Sequence, residues 1–284
     1  MERDARAGIA RLTIDNPARR NSYNAAMRRQ LAAFLDDLAA DDDIKVVLLR
    51  GSGGVFSAGA DMRDAYAWYG PEANGDGQAA SRRRPSQRRR LAVDRQTFSF
   101  YHDFLGYPKA TVAEVRGCAL GGGLELALMA DIAVVARDAL IGMPATRFLG
   151  PALGSLHLFF HRLGPVLTRR LLLTGDNVAA GSLEHLGIFT EVTDDGAVAG
   201  RAEWYAQKVA RMPADGLVIA KEAFRLVEQL QAYQGEEVTS YLVHAFGTNL
   251  RFEDGEFNFV KARAEHGVRR AFELRDQHFD VPES

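Results

Sequence analysis

Residues 115–131, VRGCALGGGLELALMAD, set three consecutive glycines, Gly121, Gly122 and Gly123, directly before a segment that reads as a buried helix with one acid, Glu125. Residues 110–115 ahead of it are apolar and β-branched enough for a strand, and DIAVVA (131–136) behind it is another. The order is strand, glycine turn, helix, strand, which is the grammar of an α/β protein. Glycines at such a turn let backbone N–H groups face a cleft with no side chain in the way.

Working outward, residues 8–15 alternate like a strand, and NPARRNS (16–22) supplies turn chemistry, with Asn21 or Ser22 able to cap a helix running to about Ala40. KVVLLR (45–50) is a short buried strand. It feeds GSGGVFSAGADM (51–62), a second loop with four glycines. Residues 64–90, rich in Gly, Ala, Ser and Arg and including SRRRPSQRRR, read as an exposed insertion, with helical pattern resuming near Leu91. IGMPATRFLGPALGS (141–155) reads as a Pro/Gly loop. Helical sequence follows, broken by a short strand near residues 189–192. The division expected is an α/β core over 1–212 and a helical region over 213–284.

Bulk properties exclude more than they identify. With 284 residues, 47% apolar, 25% charged and a net charge of −2, the chain can bury a large core, and nothing in its charge points to nucleic acid or an anionic membrane as partner. Its one cysteine, Cys118, rules out an internal disulfide and fits a reducing, cytoplasmic setting. The N-terminal MERDARAGIARLTID is too charged for a secretory leader. Glu114, Arg116, Glu125 and Asp131 interrupt the most apolar region, so no membrane span is expected.

Several familiar motifs fail on inspection. GVFSAGAD has phosphate-loop spacing, but Ala60 and Asp61 stand where a lysine and a hydroxyl residue are required. GCALGGG lacks the G-x-G-x-x-G spacing of a dinucleotide turn. His157 and His161 share a helix face, yet no general-base glutamate or third ligand accompanies them, so no metal site is expected and a packing or surface histidine pair is the better account. The arginines Arg82, Arg83, Arg84, Arg88, Arg89 and Arg90 read as a solvated loop, with phosphate contact as the alternative.

Taken together, the two glycine loops are more specific. Each follows a strand, and two N–H groups converging from them would stabilise negative charge growing on a carbonyl oxygen. The helix starting at Gly122 or Gly123 would aim its positive end at the same point. Glu125, in its first turn, would stand near the carbon next to that carbonyl.

NPARRNSYN, VVLLRGSGGVFSAGADM and VRGCALGGGLELALMADIAVVA, followed in order by IGMP, LLLTGD and LGIFTEV, resemble the enoyl-CoA hydratase/isomerase (crotonase) superfamily over nearly the whole chain. The resemblance implies an α/β fold with a spiral core of repeated ββα units and a C-terminal helical region for oligomerisation. It implies an acyl-CoA thioester as partner, coenzyme A being part of the substrate and no cofactor tightly bound. On this chain it places the oxyanion donors at the N–H groups of Ala60 and Gly122 and the acid/base at Glu125. Substrate and CoA contacts fall at Ala58, Ala60, Asp61, Gly121 and Gly122, with Arg20, and more weakly Arg19, near the CoA phosphates. Arg275 and Phe279 fall where a neighbouring subunit meets CoA in a homotrimer or dimer of trimers. Tyr66, Trp68 and Tyr69 are candidates for the acyl pocket.

One position departs from the pattern. The family's hydratases carry a second acid after the glycine and proline that here read IGMPATRF, and that position is Ala145, with Thr146 and Arg147 next to it. Alanine transfers no proton, a threonine hydroxyl is too weak, and arginine stays protonated. The nominal expectation from the resemblance remains hydration of a 2-enoyl-CoA by Glu125, although one carboxylate alone favours proton shifts, hydrolysis or retro-Claisen cleavage over efficient hydration. The alternatives are isomerisation or hydrolysis of a bulky or cyclic acyl-CoA, or an acyl-CoA-binding protein that has lost catalysis.

Overall fold

The computed structural model describes residues 1–63, 86–150 and 155–281. Strands β1 (Glu2–Asp4), β2 (Ile9–Ile14), β3 (Val46–Gly51), β4 (Ala110–Val115), β5 (Cys118–Leu120), β6 (Ile132–Ala136), β7 (Leu140–Gly142), β8 (Asn177–Ala179) and β9 (Glu191–Thr193) form two sheets. The larger runs β1-β2-β3-β4-β6-β9 and the smaller β5-β7-β8. Apart from β1, every pair in the larger sheet is parallel. Such sheets are covered on both faces, which is why β4 is buried at every residue and β3 is apolar and buried from Val46 to Leu49.

The helices are α1 (Ala25–Ala39), α2 (Gln87–Leu105), α3 (Gly122–Met129), α4 (Thr146–Leu149), α5 (Leu156–Arg162), α6 (Gly164–Thr174), α7 (Asp195–Ala210), α8 (Ala214–Glu228), α9 (Gln234–Gly247) and α10 (Phe259–Phe279). Their order shows the repeated ββα unit. β4 lies in the large sheet, β5 in the small one, and α3 follows; β6, β7 and α4 repeat the step. The unit before them has only a bridge between Ser57 and Ala119 as its second strand, with α2 as its helix. Stacking these units brings each junction between second strand and helix above the last. α7 packs along β2, β3, β4 and β6.

Three local expectations are corrected. α1 is capped by Asn24, whose side chain accepts from the Met27 N–H, and not by Asn21 or Ser22. Helical structure begins at Gln87 rather than Leu91, and Arg90, expected in a solvated loop, is buried and donates to the carbonyl and hydroxyl of Thr248. The stretch read as a Pro/Gly loop holds β7 and α4. Tyr66, Trp68, Tyr69, Arg82, Arg83 and Arg84 lie outside the described residues.

Asn21 has a different task from capping. Fully buried and in a left-handed conformation (φ +54), it accepts from the Asn16 N–H at 2.8 Å and donates to the carbonyls of Ser52 at 2.8 Å and Val55 at 2.5 Å. It thereby ties the NPARRNS turn to the first glycine loop. Asn21→Ala leaves these buried groups unpaired and is expected to destabilise the protein by about 2–4 kcal/mol, read from urea unfolding.

Candidate active site

The two glycine loops meet. Ser57 donates to the Cys118 carbonyl and accepts, through its own carbonyl, from the Leu120 N–H, each at 3.0 Å, so the first loop is zipped onto β5. A bridge between Tyr23 and Ala60 fixes its other side. Gly59 has φ +83, and a Cβ there would lie 2.6 Å from the Leu120 carbonyl and 2.9 Å from the Gly122 nitrogen. The Ala60 N–H, one peptide bond further on, is therefore beside the Gly122 N–H. Neither donates to an acceptor among the described residues. Both residues have solvent access, and Gly122 opens α3, where first-turn N–H groups have no intrahelical partner.

Glycine at 122 and 123 is set by close approach. A Cβ on Gly123 would strike the Ser57 carbonyl, and one on Gly122 would strike the hydroxyls of Tyr23 and Tyr101. These two tyrosines, buried and hydrogen-bonded to each other at 2.7 Å, were not foreseen from the sequence. Burial pushes both phenols well above their ordinary pKa, and the charge of Glu125 pushes the same way.

Glu125 is 6% exposed, and burial raises its carboxyl above the usual range. The Ser155 N–H points at its Oε1 at 3.4 Å. The Ser155 hydroxyl also favours the charged form, although it makes no hydrogen bond of good geometry, and His244 adds a weaker attraction. His244 is itself 3.1 Å from Asp94. A second glutamate, Glu236 of α9, lies in the same neighbourhood. Its Oε2 accepts from the His157 N–H at 2.7 Å, and burial, with the charge of Glu125, raises it to about 7. His102 of α2, also buried, falls to about 4 and stays neutral.

The Glu236 shift has a sign. In the folded chain its carboxyl keeps the proton to about pH 7, whereas the unfolded chain releases it near 4.5, so the folded state binds more protons between those values. Raising pH through that window should weaken the fold, by roughly 3 kcal/mol at most. Glu236→Gln should flatten this part of the stability profile and leave the variant more stable than the parent at pH 8, measured by denaturant titration at a series of pH values.

The remaining expected positions scatter. Gly121, with φ +55, donates to the Gly142 carbonyl at 3.0 Å and so brings the β7–α4 turn next to the glycine loop. Ala145 opens α4 and packs among apolar side chains. Its neighbours do not replace the missing acid. The Thr146 hydroxyl donates to the Met143 carbonyl at 3.1 Å, and Arg147 is held by the Thr174 carbonyl at 2.9 Å and Asp176 at 2.8 Å, with its guanidinium 5.3 Å from the Phe279 ring centre. Asp61 is buried against Arg63 at 2.7 Å and Arg19 at 3.4 Å, which occupies the weaker of the two phosphate candidates. Arg20 is exposed, and Ala58 donates to its carbonyl at 2.8 Å. Arg275 bonds Asp276 and stacks on Phe272 within its own chain. His157 and His161 stack at 5.9 Å, and no cluster of three metal-ligating side chains occurs among the described residues. No helix among them is long and apolar enough to cross a membrane.

The ββα spiral thus brings the two glycine loops together at the helix that carries the buried Glu125. The family model for enoyl-CoA hydratase/isomerase matches residues 4–267, and the chain belongs to that family. Among curated relatives, the 1,2-epoxyphenylacetyl-CoA isomerase of Escherichia coli K12 is 32% identical over 78% of this chain and 80% of its own. A putative enoyl-CoA hydratase of Mycobacterium tuberculosis is 27% identical over 94% and 88%. Among solved structures, an enoyl-CoA hydratase/isomerase from Xanthobacter autotrophicus Py2 superposes with a TM-score of 0.82 at 25% identity, covering 97% of this chain and 96% of that one.

Proposed function

We propose that the chain is a cytoplasmic acyl-CoA enzyme that holds a thioester carbonyl between the N–H groups of Ala60 and Gly122 and moves a proton at the adjacent carbon with Glu125. The observation that carries this reading is the meeting of the two loops beside a buried carboxyl whose pKa is raised. Two donors preset for a developing oxyanion lower the cost of forming an enolate. A carboxyl whose pKa is raised by burial holds its proton to higher pH, and its carboxylate is a stronger base toward carbon. Coenzyme A enters as part of the substrate.

Nominally the reaction is addition of water to a 2-enoyl-CoA. Ala145 favours a second reading, in which one carboxylate shifts a proton between two carbons of a bulky or cyclic acyl-CoA, and the similarity to an isomerase relative is consistent with it. Mass spectrometry of products from a panel of 2-enoyl-, 3-enoyl- and aromatic acyl-CoA thioesters separates them. Hydration adds one water, isomerisation leaves mass unchanged, and hydrolysis splits off CoA. Tight binding of every thioester with no conversion would instead mark a binding protein and sink the enzymatic reading.

Region 213–284 is assigned to assembly as a trimer or pair of trimers and to closing the site. Supporting this, α8, α9 and the turn between them carry large exposed apolar side chains, Ile219, Phe224, Leu230 and Phe246 among them, each more than half exposed in the single chain.

A further inference from the structure

Glu125 faces a problem of proton balance. Once it has taken a proton from carbon it is a neutral acid sealed from water, and Ala145 offers no partner. Behind it lies a small cavity of about 20 Å³, room for roughly one water, lined by Met129, Ser155, His157, His161, Glu228 and Glu236 and running from exposed His161 to fully buried Ser155. Both carboxylates are gripped from the same short stretch, Glu125 by the Ser155 N–H and Glu236 by the His157 N–H. Two residues of backbone span at most about 7 Å, so the two acids are held close together. Glu236 Oε1 and the Ser155 hydroxyl are both buried with no hydrogen-bond partner among the described residues. A purely structural role does not account for this, because an unpaired buried carboxyl oxygen costs stability that an apolar side chain would not.

We propose that Glu236 is the proton relay of Glu125, connecting it through the Ser155 hydroxyl to the cavity. The inference rests on Glu125 being the group that takes the proton. The transfers balance as follows: the carboxylic acid of Glu125 gives its proton to Ser155 Oγ as the Ser155 hydroxyl gives its own to the Glu236 carboxylate. Glu125 is restored as carboxylate, Ser155 is unchanged, and Glu236 is the acid. Glu236 then releases the proton to cavity water, which leaves past His157 and His161. The titratable and polar groups facing Glu236 are Glu125 of α3, His102 of α2, Ser155, His157 and His161 of α5 and its N-cap, and Glu228 of α8. Glu236 acts here as a positioning and relay residue, not on substrate.

Exchange of α protons in D2O, followed by NMR with butanoyl-CoA and phenylacetyl-CoA, tests this without net reaction. In the parent protein deuterium enters readily, because the abstracted proton is lost to the cavity before it returns. Glu236→Gln should slow entry by about 10- to 100-fold, since the same proton is handed back to carbon, while thioester affinity changes by less than about twofold. The rise of the exchange rate as pH passes through about 7 should vanish in that variant, and Glu236→Asp should restore part of it. Parent-like exchange and pH profile in Glu236→Gln, or a loss matched by an equal loss of affinity or folding, would overturn the relay alone. If the parent exchanges neither probe, or Glu125→Gln exchanges as fast as the parent, the assignment of Glu125 falls and the relay falls with it.

Discussion

Glu125→Gln is expected to lower kcat/KM by about 10²–10⁴ while leaving the melting temperature unchanged or slightly higher. The two halves of the result have one cause. Glutamine keeps the shape of the side chain and can still accept from the Ser155 N–H, which stands at 3.4 Å from Oε1 in the parent. It cannot take or give a proton. Burial raises the pKa of Glu125, so ionising it in place costs free energy that a neutral amide does not spend. Removing the charge also relieves Glu236, which the Glu125 charge helps to raise. Turnover of whichever thioester the parent converts, alongside a thermal melt, checks both halves. Retained turnover would remove Glu125 from the chemistry, and a collapse in melting temperature would mean that the residue was holding the fold together.

The parts of this site legible in the sequence are those encoded locally. Gly121 to Glu125 occupy five consecutive positions, and the strand that leads into them and the one that follows are apolar runs, so the sequence predicts β4, α3 and β6 nearly to the residue. The strands β5, β7 and β8 are three residues each, too short for any periodicity to register. Tyr23, Tyr101, Ser155 and Glu236 come from four separate parts of the chain, and each alone reads as an ordinary core or cap residue. One signal was present. Glu236, Ser240 and His244 recur at i, i+4 and i+8, so α9 turns a polar stripe inward where an amphipathic helix would show an apolar one. Glu236 and Ser240 are both buried, and His244 meets Asp94 of α2. Buried polar groups on one helix face demand partners, and these were to be found only by knowing that α9 packs on α2.

Gly122→Ala tests the glycine loop itself and is expected to cost about 10²–10³ in kcat together with about 1–3 kcal/mol of stability. The backbone at 122 is not the obstacle, because its φ is not in the left-handed region and alanine is a good helix former. The obstacle is the pair of tyrosine hydroxyls that a Cβ would strike. Tyr23 and Tyr101 are buried and bonded to each other, so neither can step aside without breaking that bond, and the alternative is for the first turn of α3 to move. Either response displaces the Gly122 N–H from its place beside Ala60. The cause can be isolated by removing the oxygens: in a Tyr23→Phe, Tyr101→Phe background the methyl group introduced by Gly122→Ala gains room, so the stability penalty of the glycine substitution should shrink to less than about half. A thermodynamic cycle built from thermal melts of the four proteins gives that coupling directly. If the penalty is the same in both backgrounds, the tyrosines do not set the requirement for glycine. If Gly122→Ala turns over at the parent rate, the Gly122 N–H is not an oxyanion donor, because a donor displaced by a new methyl group could not go on stabilising the same charge.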